Sequence, residues 1–363
     1  MSRPTLSGED LLDDADAIDA GDPGGMLRAV AAAPAQFREA AFTAAEVDLS
    51  TALDGGRPRA VVVAGMGGSG IAGDVLAAVA GGTSPVPVWG HRGYGLPGWV
   101  GAADLVVAVS CSGSTEETLT AAEEATRRGA RLVTVGAADS PLADRGERGH
   151  APHFVVPPGR VPRAAIWGLS VPLLVLGDRL GVLHAPTAAL DAAAELLEAL
   201  TERFRPSREA FLNPAKTLAL NLIDQLPVVW GTSPLAGVAA HRCAGQLAEN
   251  AKLPCIAGVL PEASHNQVVA FDGSDPGERL RLVLLRDTEE HPQVAKRAVA
   301  ARDLATERGM AVDEIVAEGA SAVERIASLI ATVDFASVYL ALLRGVDPTA
   351  MVSIDELKAR IRE

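Results

Sequence analysis

A short apolar run that leads through a glycine-rich turn into a helical stretch limits the possible folds of this chain more than any other segment. Residues 60–65 read AVVVAG, the turn carries Gly67, Gly68 and Gly70, and residues 71–80 read IAGDVLAAVA. A continuous apolar run bounded by glycine predicts a strand that is buried on both faces. Because a strand followed by a helix is the repeating unit of parallel α/β folds, the segment predicts a parallel sheet covered by helices.

The same order of strand and helix returns along the chain. Apolar residues make up 48% of the sequence but aromatic residues only 4%, so the cores must be rich in Ala, Val and Leu, as suits helices packed on parallel strands. Further strand-like runs lie at 85–90, 104–112, 131–137, 153–159, 226–234 and 279–287. The pattern therefore predicts an α/β fold with more than one sheet.

A length of 363 residues is enough for two cores of ordinary size. We expect two α/β domains at 58–184 and 208–345, because the order of strands and helices repeats after a helical stretch at 185–207. Residues 1–57 read as a helical N-terminal extension and 346–363 as a C-terminal helix. The sequence shows no sustained short repeat, which argues against a solenoid.

The glycine-rich turn after the first strand predicts a phosphate site. Glycines let the backbone approach a ligand closely, and the helix behind them directs free N–H groups and its positive dipole end toward that ligand. Gly65, Gly67 and Gly70 also fit the spacing of a dinucleotide-binding turn. That match is weak, because Asp74 is not the distant acidic residue that a ribose requires.

A second turn of the same kind distinguishes the two interpretations. Residues 110–118 read SCSGSTEET and carry Ser110, Ser112, Ser114 and Thr115 between a strand and a helix. Hydroxyl donors beside the free N–H groups of a helix suit a phosphate monoester. Helix capping, with a downstream Glu completing a capping box, is the alternative for this segment taken alone. Since a Rossmann domain has no use for a second such turn, the pair favours a phosphate.

Together the two turns carry a resemblance. The pattern G-x-G-G-S-G followed by S-x-S-G-x-T-x-E-T is similar to the signature of the SIS (sugar isomerase) domain, which resembles a flavodoxin-like five-stranded parallel sheet and binds phosphosugars at the strands' carboxyl ends. The resemblance implies two SIS domains, each a flavodoxin-like sheet flanked by helices, with helical N- and C-terminal extensions. It also implies a phosphate site whose residues are Gly67, Gly68, Ser69, Ser110, Ser112 and Thr115.

A cluster of polar residues in the second half suits proton-transfer chemistry. Moving a proton between two carbons of a sugar phosphate needs a carboxylate base, an acid or base for ring opening, and groups that stabilise an enediolate. Glu249, His265 and Asn266 lie close together in the sequence. Taken alone, the cluster favours the structural interpretation, with Glu249 a solvent-facing helix residue and His265 a turn residue.

In the SIS context this cluster resembles the bifunctional phosphoglucose/phosphomannose isomerase family, in which E-N-x-K precedes P-E-x-x-H-N. The resemblance covers nearly the whole chain and implies aldose–ketose isomerisation of hexose 6-phosphates through a cis-enediolate. It implies that Glu249 moves the proton between C1 and C2 and that Arg163 stabilises the enediolate. It further implies that His265 helps to open the sugar ring with Lys358 assisting, without metal or other cofactor. The match around Arg163 is short, and Lys358 could equally be an exposed helix lysine.

The resemblance further implies a homodimer with shared active sites, in which the partner subunit donates the histidine. Two alternatives stay open: a non-catalytic or regulatory phosphosugar-binding protein, and another SIS enzyme such as an aminosugar-phosphate isomerase. The presence of Glu249, His265 and Arg163 argues against the first. A glutamine-dependent synthase is disfavoured, because no Cys precedes Cys111. The sequence does not distinguish glucose from mannose 6-phosphate.

Charge and hydropathy exclude several classes of partner. The net charge is −14 and no basic stripe is visible, so we expect no nucleic-acid partner. The first residues are acidic and lack an apolar signal segment, and the near-apolar run at 164–177 is too short to span a bilayer. Cys111, Cys243 and Cys255 show no paired or metal-type spacing. We therefore expect a cytoplasmic enzyme of sugar-phosphate metabolism with no membrane partner.

Overall fold

The first sheet forms where the apolar runs of the first half predict it. In the computed structural model, which describes residues 8–273 and 275–362, this sheet has five parallel strands in the order β2-β1-β3-β4-β5. This is the strand order of a flavodoxin-like sheet. The strands are β1 (Val61–Ala64), β2 (Val88–His91), β3 (Leu105–Ser110), β4 (Arg131–Gly136) and β5 (His153–Val155).

The second sheet has four parallel strands in the order β7-β6-β8-β9. The order repeats that of the first sheet, but a fifth strand is absent from the described residues, so the five strands implied for each domain are found only once. The strands are β6 (Leu226–Gly231), β7 (Ile256–Val259), β8 (Leu280–Arg286) and β9 (Ala311–Val316).

Helices occupy most of the remaining described chain and include the expected helical termini. Residues 1–7 of the expected N-terminal extension lie outside the described residues. The first nine helices are α1 (Gly8–Asp13), α2 (Ala15–Gly21), α3 (Met26–Ala31), α4 (Ala33–Ala45), α5 (Ser50–Leu53), α6 (Gly67–Ala80), α7 (Glu116–Arg127), α8 (Pro141–Arg148) and α9 (Ile166–Arg179). The others are α10 (Thr187–Phe204), α11 (Pro214–Leu222), α12 (Pro234–Glu249), α13 (Pro276–Arg279), α14 (Pro292–Glu307), α15 (Ala322–Leu343) and α16 (Val352–Arg362).

By their contacts the residues fall into two compact units. The first-sheet unit comprises Ala32–Glu198 and Gly319–Ala327, and the second-sheet unit comprises the described part of residues 1–31, Ala199–Glu318 and the described residues from Ser328 onward. The second-sheet unit is therefore discontinuous in sequence. The domain boundaries that the sequence predicts at 57, 184, 207 and 345 stay a prediction, because a division by contacts does not test them.

Lys216 connects the first described residues to the rest of the second-sheet unit. Its side chain is completely buried, and its ammonium donates to the backbone carbonyl of Leu12 and to a carboxylate oxygen of Asp13 at 3.0 Å. It also donates to the carbonyls of Pro206 at 2.8 Å and Arg208 at 2.7 Å. Burial lowers the pKa of Lys216, while Asp13 opposes that change. Four acceptors therefore satisfy a charge that would otherwise be costly to bury.

Helix α15 belongs to the second-sheet unit from Ser328 onward. It has the length and apolar composition of a membrane span, yet 94% of its most apolar stretch is buried within the protein. The core helix of a soluble protein has the same character, because a helix that is apolar on all sides must be covered. The absence of a membrane partner stays a prediction.

Candidate active site

The first glycine-rich turn brings the backbone close to the neighbouring strand. Strand β1 ends at Ala64, helix α6 begins at Gly67, and Gly67 has a φ of 52°. A Cβ atom on Gly65 would lie 2.9 Å from the carbonyl oxygen of Ser69 and 3.0 Å from that of Val109. Only glycine fits such an approach, because any side chain would collide with the backbone. The chain can therefore turn tightly from the end of β1 into α6, whose first N–H groups lie at the carboxyl end of the strand.

The second turn lines the end of β3 with hydroxyl groups. Ser110 is the last residue of β3, and its hydroxyl lies 2.8 Å from that of Thr115, which precedes the first residue of α7. The hydroxyls of Ser112 and Ser114 lie 3.0 Å apart. Gly113 has a φ of 67°, and a Cβ atom there would collide with the hydroxyl of Ser140 at 2.1 Å. Glycine at position 113 thus avoids a steric clash, and hydroxyl groups line the turn.

The two turns form one polar mouth at the carboxyl edge of the first sheet. Strands β1 and β3 are adjacent and parallel, and the backbone N–H of Cys111 donates to the hydroxyl of Ser69 at 3.3 Å. We call the hydroxyl groups of Ser69, Ser110, Ser112 and Thr115 the phosphate mouth. Hydroxyls between two helix N-termini, on 14-residue α6 and 12-residue α7, are chemically suited to the oxygens of a phosphate monoester.

Arg163 lies beside the first turn. Its segment, Pro162–Ala164, forms one turn of 3-10 helix, and a Cβ atom on Gly68 would lie 3.4 Å from the carbonyl oxygen of Pro162 and 3.9 Å from the Cα of Arg163. The Arg163 side chain is buried, with 7% of the residue exposed. The structure therefore brings this residue, which is distant in sequence, to the edge of the phosphate mouth.

Cys111 and Arg160 add an electrostatic feature to the same edge. Burial raises the pKa of the Cys111 thiol, and the positive charge of Arg160 opposes that change. Arg160 also forms an ion pair with Glu39. A cation therefore lies close to the segment that would meet a phosphate.

Buried polar contacts fix the rotation of α12 in the second-sheet unit. The guanidinium of Arg242 donates to both carboxylate oxygens of Asp334 at 2.7 and 2.6 Å, and the Gln246 amide donates to one of them at 3.1 Å. One turn further, the Asn250 amide donates to the Ser337 hydroxyl at 2.9 Å. All five side chains are buried, and each bond holds only for one rotation of α12 against α15.

Glu249 is the last residue of α12 and is partly exposed. It directly precedes Asn250, so the buried contacts fix the position of its backbone while its side chain stays partly exposed. A carboxylate that is oriented by its helix and open to solvent can accept a proton.

His265 lies on a short segment that is anchored on both sides. It ends a turn of 3-10 helix, Glu262–His265, directly after a cis peptide bond at Pro261. Buried Ala263 precedes it, and Gln267 after it accepts a hydrogen bond from the Trp230 indole at 2.7 Å. The imidazole itself is exposed.

Lys358 lies on α16, where all side chains from 352 to 361 are exposed. Among the described residues, no hydrogen bond or ion pair joins Glu249, His265 and Lys358 to one another. These three residues belong to the second-sheet unit, whereas the phosphate mouth and Arg163 belong to the first-sheet unit. Their union in one site is therefore part of the proposal below.

Comparison with known proteins identifies the family. The family described as "SIS domain" matches residues 57–152, and the family described as "Bacterial phospho-glucose isomerase C-terminal SIS domain" matches residues 211–361. A "Bifunctional phosphoglucose/phosphomannose isomerase" from Caldicellulosiruptor bescii is 36% identical over 306 residues, covering 84% of this chain and 89% of the relative. The chain belongs to the bifunctional phosphoglucose/phosphomannose isomerase family.

Two further similarities agree with this assignment. A second member of the bifunctional phosphoglucose/phosphomannose isomerase family, from Aquifex aeolicus, is 29% identical over 84% of this chain and 91% of its own length. A crystal structure of a hypothetical protein from Thermus thermophilus covers 95% of this chain and 92% of its own, with a TM-score of 0.69 and 18% identity. At that identity the structural match supports the fold alone.

In this member of the bifunctional phosphoglucose/phosphomannose isomerase family, the matched segments contain most of the expected site residues. The phosphate mouth lies within 57–152, and Glu249, His265 and Lys358 lie within 211–361. Arg163 lies between the two matched segments. The roles of the individual residues stay predictions.

Ser114, Arg160 and Lys252 were not predicted as site residues. The SCSGST run contains Ser114, so its hydroxyl could have been included from the pattern. Lys252 is the lysine of the E-N-x-K motif, so it could also have been included, whereas Arg160 carries no such signal. Among residues 8–273 and 275–362, no three His, Cys, Asp or Glu side chains are grouped as metal ligands, and a metal-free reaction stays a prediction.

Proposed function

We propose that this protein interconverts fructose 6-phosphate with glucose 6-phosphate and mannose 6-phosphate. The observation that carries the proposal is the phosphate mouth, found in a chain that belongs to the bifunctional phosphoglucose/phosphomannose isomerase family. The phosphate mouth offers hydroxyl and N–H donors to the 6-phosphate. The sugar is thereby bound through the end that does not react. Binding energy at this remote group then positions C1 and C2 for proton transfer.

In the proposed reaction, His265 assists opening of the sugar ring, with Lys358 beside it. Glu249 then removes the proton from one of the two carbons and returns it to the other. As the proton leaves, negative charge develops on the enediolate oxygens, and the Arg163 guanidinium stabilises that charge. The carbonyl moves from C1 to C2 or back, and no electron acceptor is consumed.

The proposal includes an assembly and a location. A homodimer would place the partner subunit's histidine in each site, so that two copies complete each other. The location would be the cytoplasm, where fructose 6-phosphate serves glycolysis and gluconeogenesis. Family membership and the exposure of His265 support this part.

A coupled assay tests the proposal. Purified protein is incubated with fructose 6-phosphate, and glucose 6-phosphate and mannose 6-phosphate are followed by separate coupling enzymes. We expect both products, with turnover unchanged after EDTA treatment. Binding of fructose 6-phosphate in calorimetry without either product would indicate a phosphosugar-binding protein instead. Turnover of an aminosugar phosphate alone would indicate a different SIS enzyme.

A further inference from the structure

Lys252 adopts a backbone conformation that is uncommon for its residue type. It follows α12 by three residues, has a φ of 56°, and is one of three non-glycine residues with positive φ among the described residues. A left-handed conformation is unfavourable for a residue with a long side chain unless contacts hold it. The contacts of Lys252 therefore indicate what the conformation achieves.

The Lys252 ammonium connects two parts of the second-sheet unit. It donates to the backbone carbonyl of Glu249 at 2.6 Å and to the backbone carbonyl of Ala350 at 2.8 Å. The first of these carbonyls belongs to the last turn of α12, which has no partner within the helix. A cation at a helix C-terminus also interacts favourably with the helix dipole. Ala350 lies two residues before the start of α16.

The direction of α16 is set where the helix begins. Because all side chains from 352 to 361 are exposed, packing along the helix contributes little to its orientation. Its lead-in segment is held near Ala350 by Lys252, and a second bond joins the Arg344 side chain to the carbonyl of Ala251 at 3.0 Å. The segment that follows α12 is thus connected to the lead-in of α16 through Lys252 and to the end of α15 through Arg344.

We propose that Lys252 is a positioning residue that aligns the helix carrying Lys358 with the helix end carrying Glu249. One ammonium holds both segments, so a shift of either segment would break a charge-assisted hydrogen bond. The catalytic consequence rests on the function proposed above. The mechanical connection is a property of the chain itself.

Hydrogen exchange tests the connection without reference to activity. Lys252→Asn removes the ammonium and keeps a residue that tolerates positive φ. We expect the backbone amides of α16 to exchange about tenfold faster, the size expected from losing one hydrogen bond to a charged group. Lys252→Arg should retain most of the protection. Lys296→Gln, which removes an exposed lysine from α14, should leave α16 unchanged. Unchanged exchange in Lys252→Asn would overturn the proposal.

Kinetics test the consequence for catalysis. In Lys252→Asn we expect kcat to fall by about ten- to a hundredfold, as for a small misplacement of a reacting group, with KM changed by less than about twofold. The double variant Lys252→Asn/Lys358→Ala should be no slower than Lys358→Ala, because both changes affect the same group. If the two substitutions lowered kcat independently, so that their fold-losses multiplied in the double variant, the positioning role of Lys252 would be contradicted. Wild-type protein without isomerase activity would instead refute the proposed function, while hydrogen exchange would still decide the connection.

Discussion

Among single residues, the carboxylate of Glu249 is the most exacting part of the proposed chemistry. It lies at the end of a helix whose rotation is fixed by buried polar contacts, yet it is itself partly exposed. A base needs this combination, because orientation and access to the substrate are both required.

Replacing Glu249 with Gln should reduce kcat by about 10²- to 10⁴-fold, the usual contribution of a general base. Gln has nearly the same shape, so fructose 6-phosphate should still bind with similar affinity in calorimetry. Glu307→Gln is the matched control, since Glu307 is an exposed carboxylate that, like Glu249, is the last residue of a helix. Near wild-type turnover in Glu249→Gln would remove Glu249 from the mechanism.

Residues whose role depends on neighbours in sequence were predictable from the sequence. The hydroxyls of 110–115 lie on one strand–turn–helix segment, so their spacing alone placed them at a strand end. The backbone of Arg163 instead meets Gly68, a contact far apart in sequence that only the resemblance to a family suggested. The two carbonyl contacts of Lys252 depend on folding as well, and no pattern in the sequence indicates the second.

Among secondary-structure elements, all five strands of the first sheet were predictable, whereas the two edge strands of the second sheet were not. Strands β7 and β9 were missed. The first is only four residues long, and the second carries two consecutive acidic residues, Asp313 and Glu314, at its centre. Helix α9 was seen only as an apolar run, since Pro172 interrupts its helical pattern. In each case tertiary packing outweighs the local signal.

Helix α7 contains a carboxylate whose charge should make stability depend on pH. Glu124 accepts hydrogen bonds from the Arg128 guanidinium at 2.7 Å and from the backbone N–H of Leu96 at 2.6 Å. The bond from Arg128, followed by that from Leu96, lowers the pKa of Glu124 below its ordinary value of 4.5. The stabilisation is therefore complete above about pH 4.5 and is lost as the pH falls through the lowered pKa.

We expect Glu124→Gln to lower the urea midpoint of unfolding at pH 7, because the ionised acceptor is lost. The difference from wild type should shrink as the pH falls from about 4.5 through the lowered pKa of Glu124, because the carboxylate is protonated first in the unfolded and then in the folded protein. Glu123→Gln is a suitable control, because Glu123 is highly exposed and lies 3.8 Å from its partner, Arg145. Equal midpoints at pH 7, or a difference that grows on acidification, would contradict the assignment.

For the molecule as a whole, a homodimer with shared active sites predicts that two inactive variants regain activity when they form mixed dimers. Glu249→Gln and His265→Ala should each be nearly inactive alone. After the two variants are unfolded and refolded together, about half of the dimers should be mixed, and one site in each mixed dimer would contain both native residues. Activity should then recover to about a quarter of wild type.

Native mass spectrometry provides the control for that experiment, because it reports whether mixed dimers have formed. Mixed dimers without activity would mean that Glu249 and His265 act within one chain, or that one of them is not required. Monomers at assay concentration would contradict the homodimer while leaving the isomerase reaction to be judged by its own assay.

The discontinuity of the second-sheet unit affects how the chain can fold during synthesis on the ribosome. Leu12 and Asp13 are made long before the lysine that binds them, which follows some two hundred positions later. The intervening stretch, Ala32–Glu198, supplies nearly all of the first-sheet unit and is complete by then. A product released early, after residue 198, would carry the phosphate mouth but lack the carboxylate at position 249.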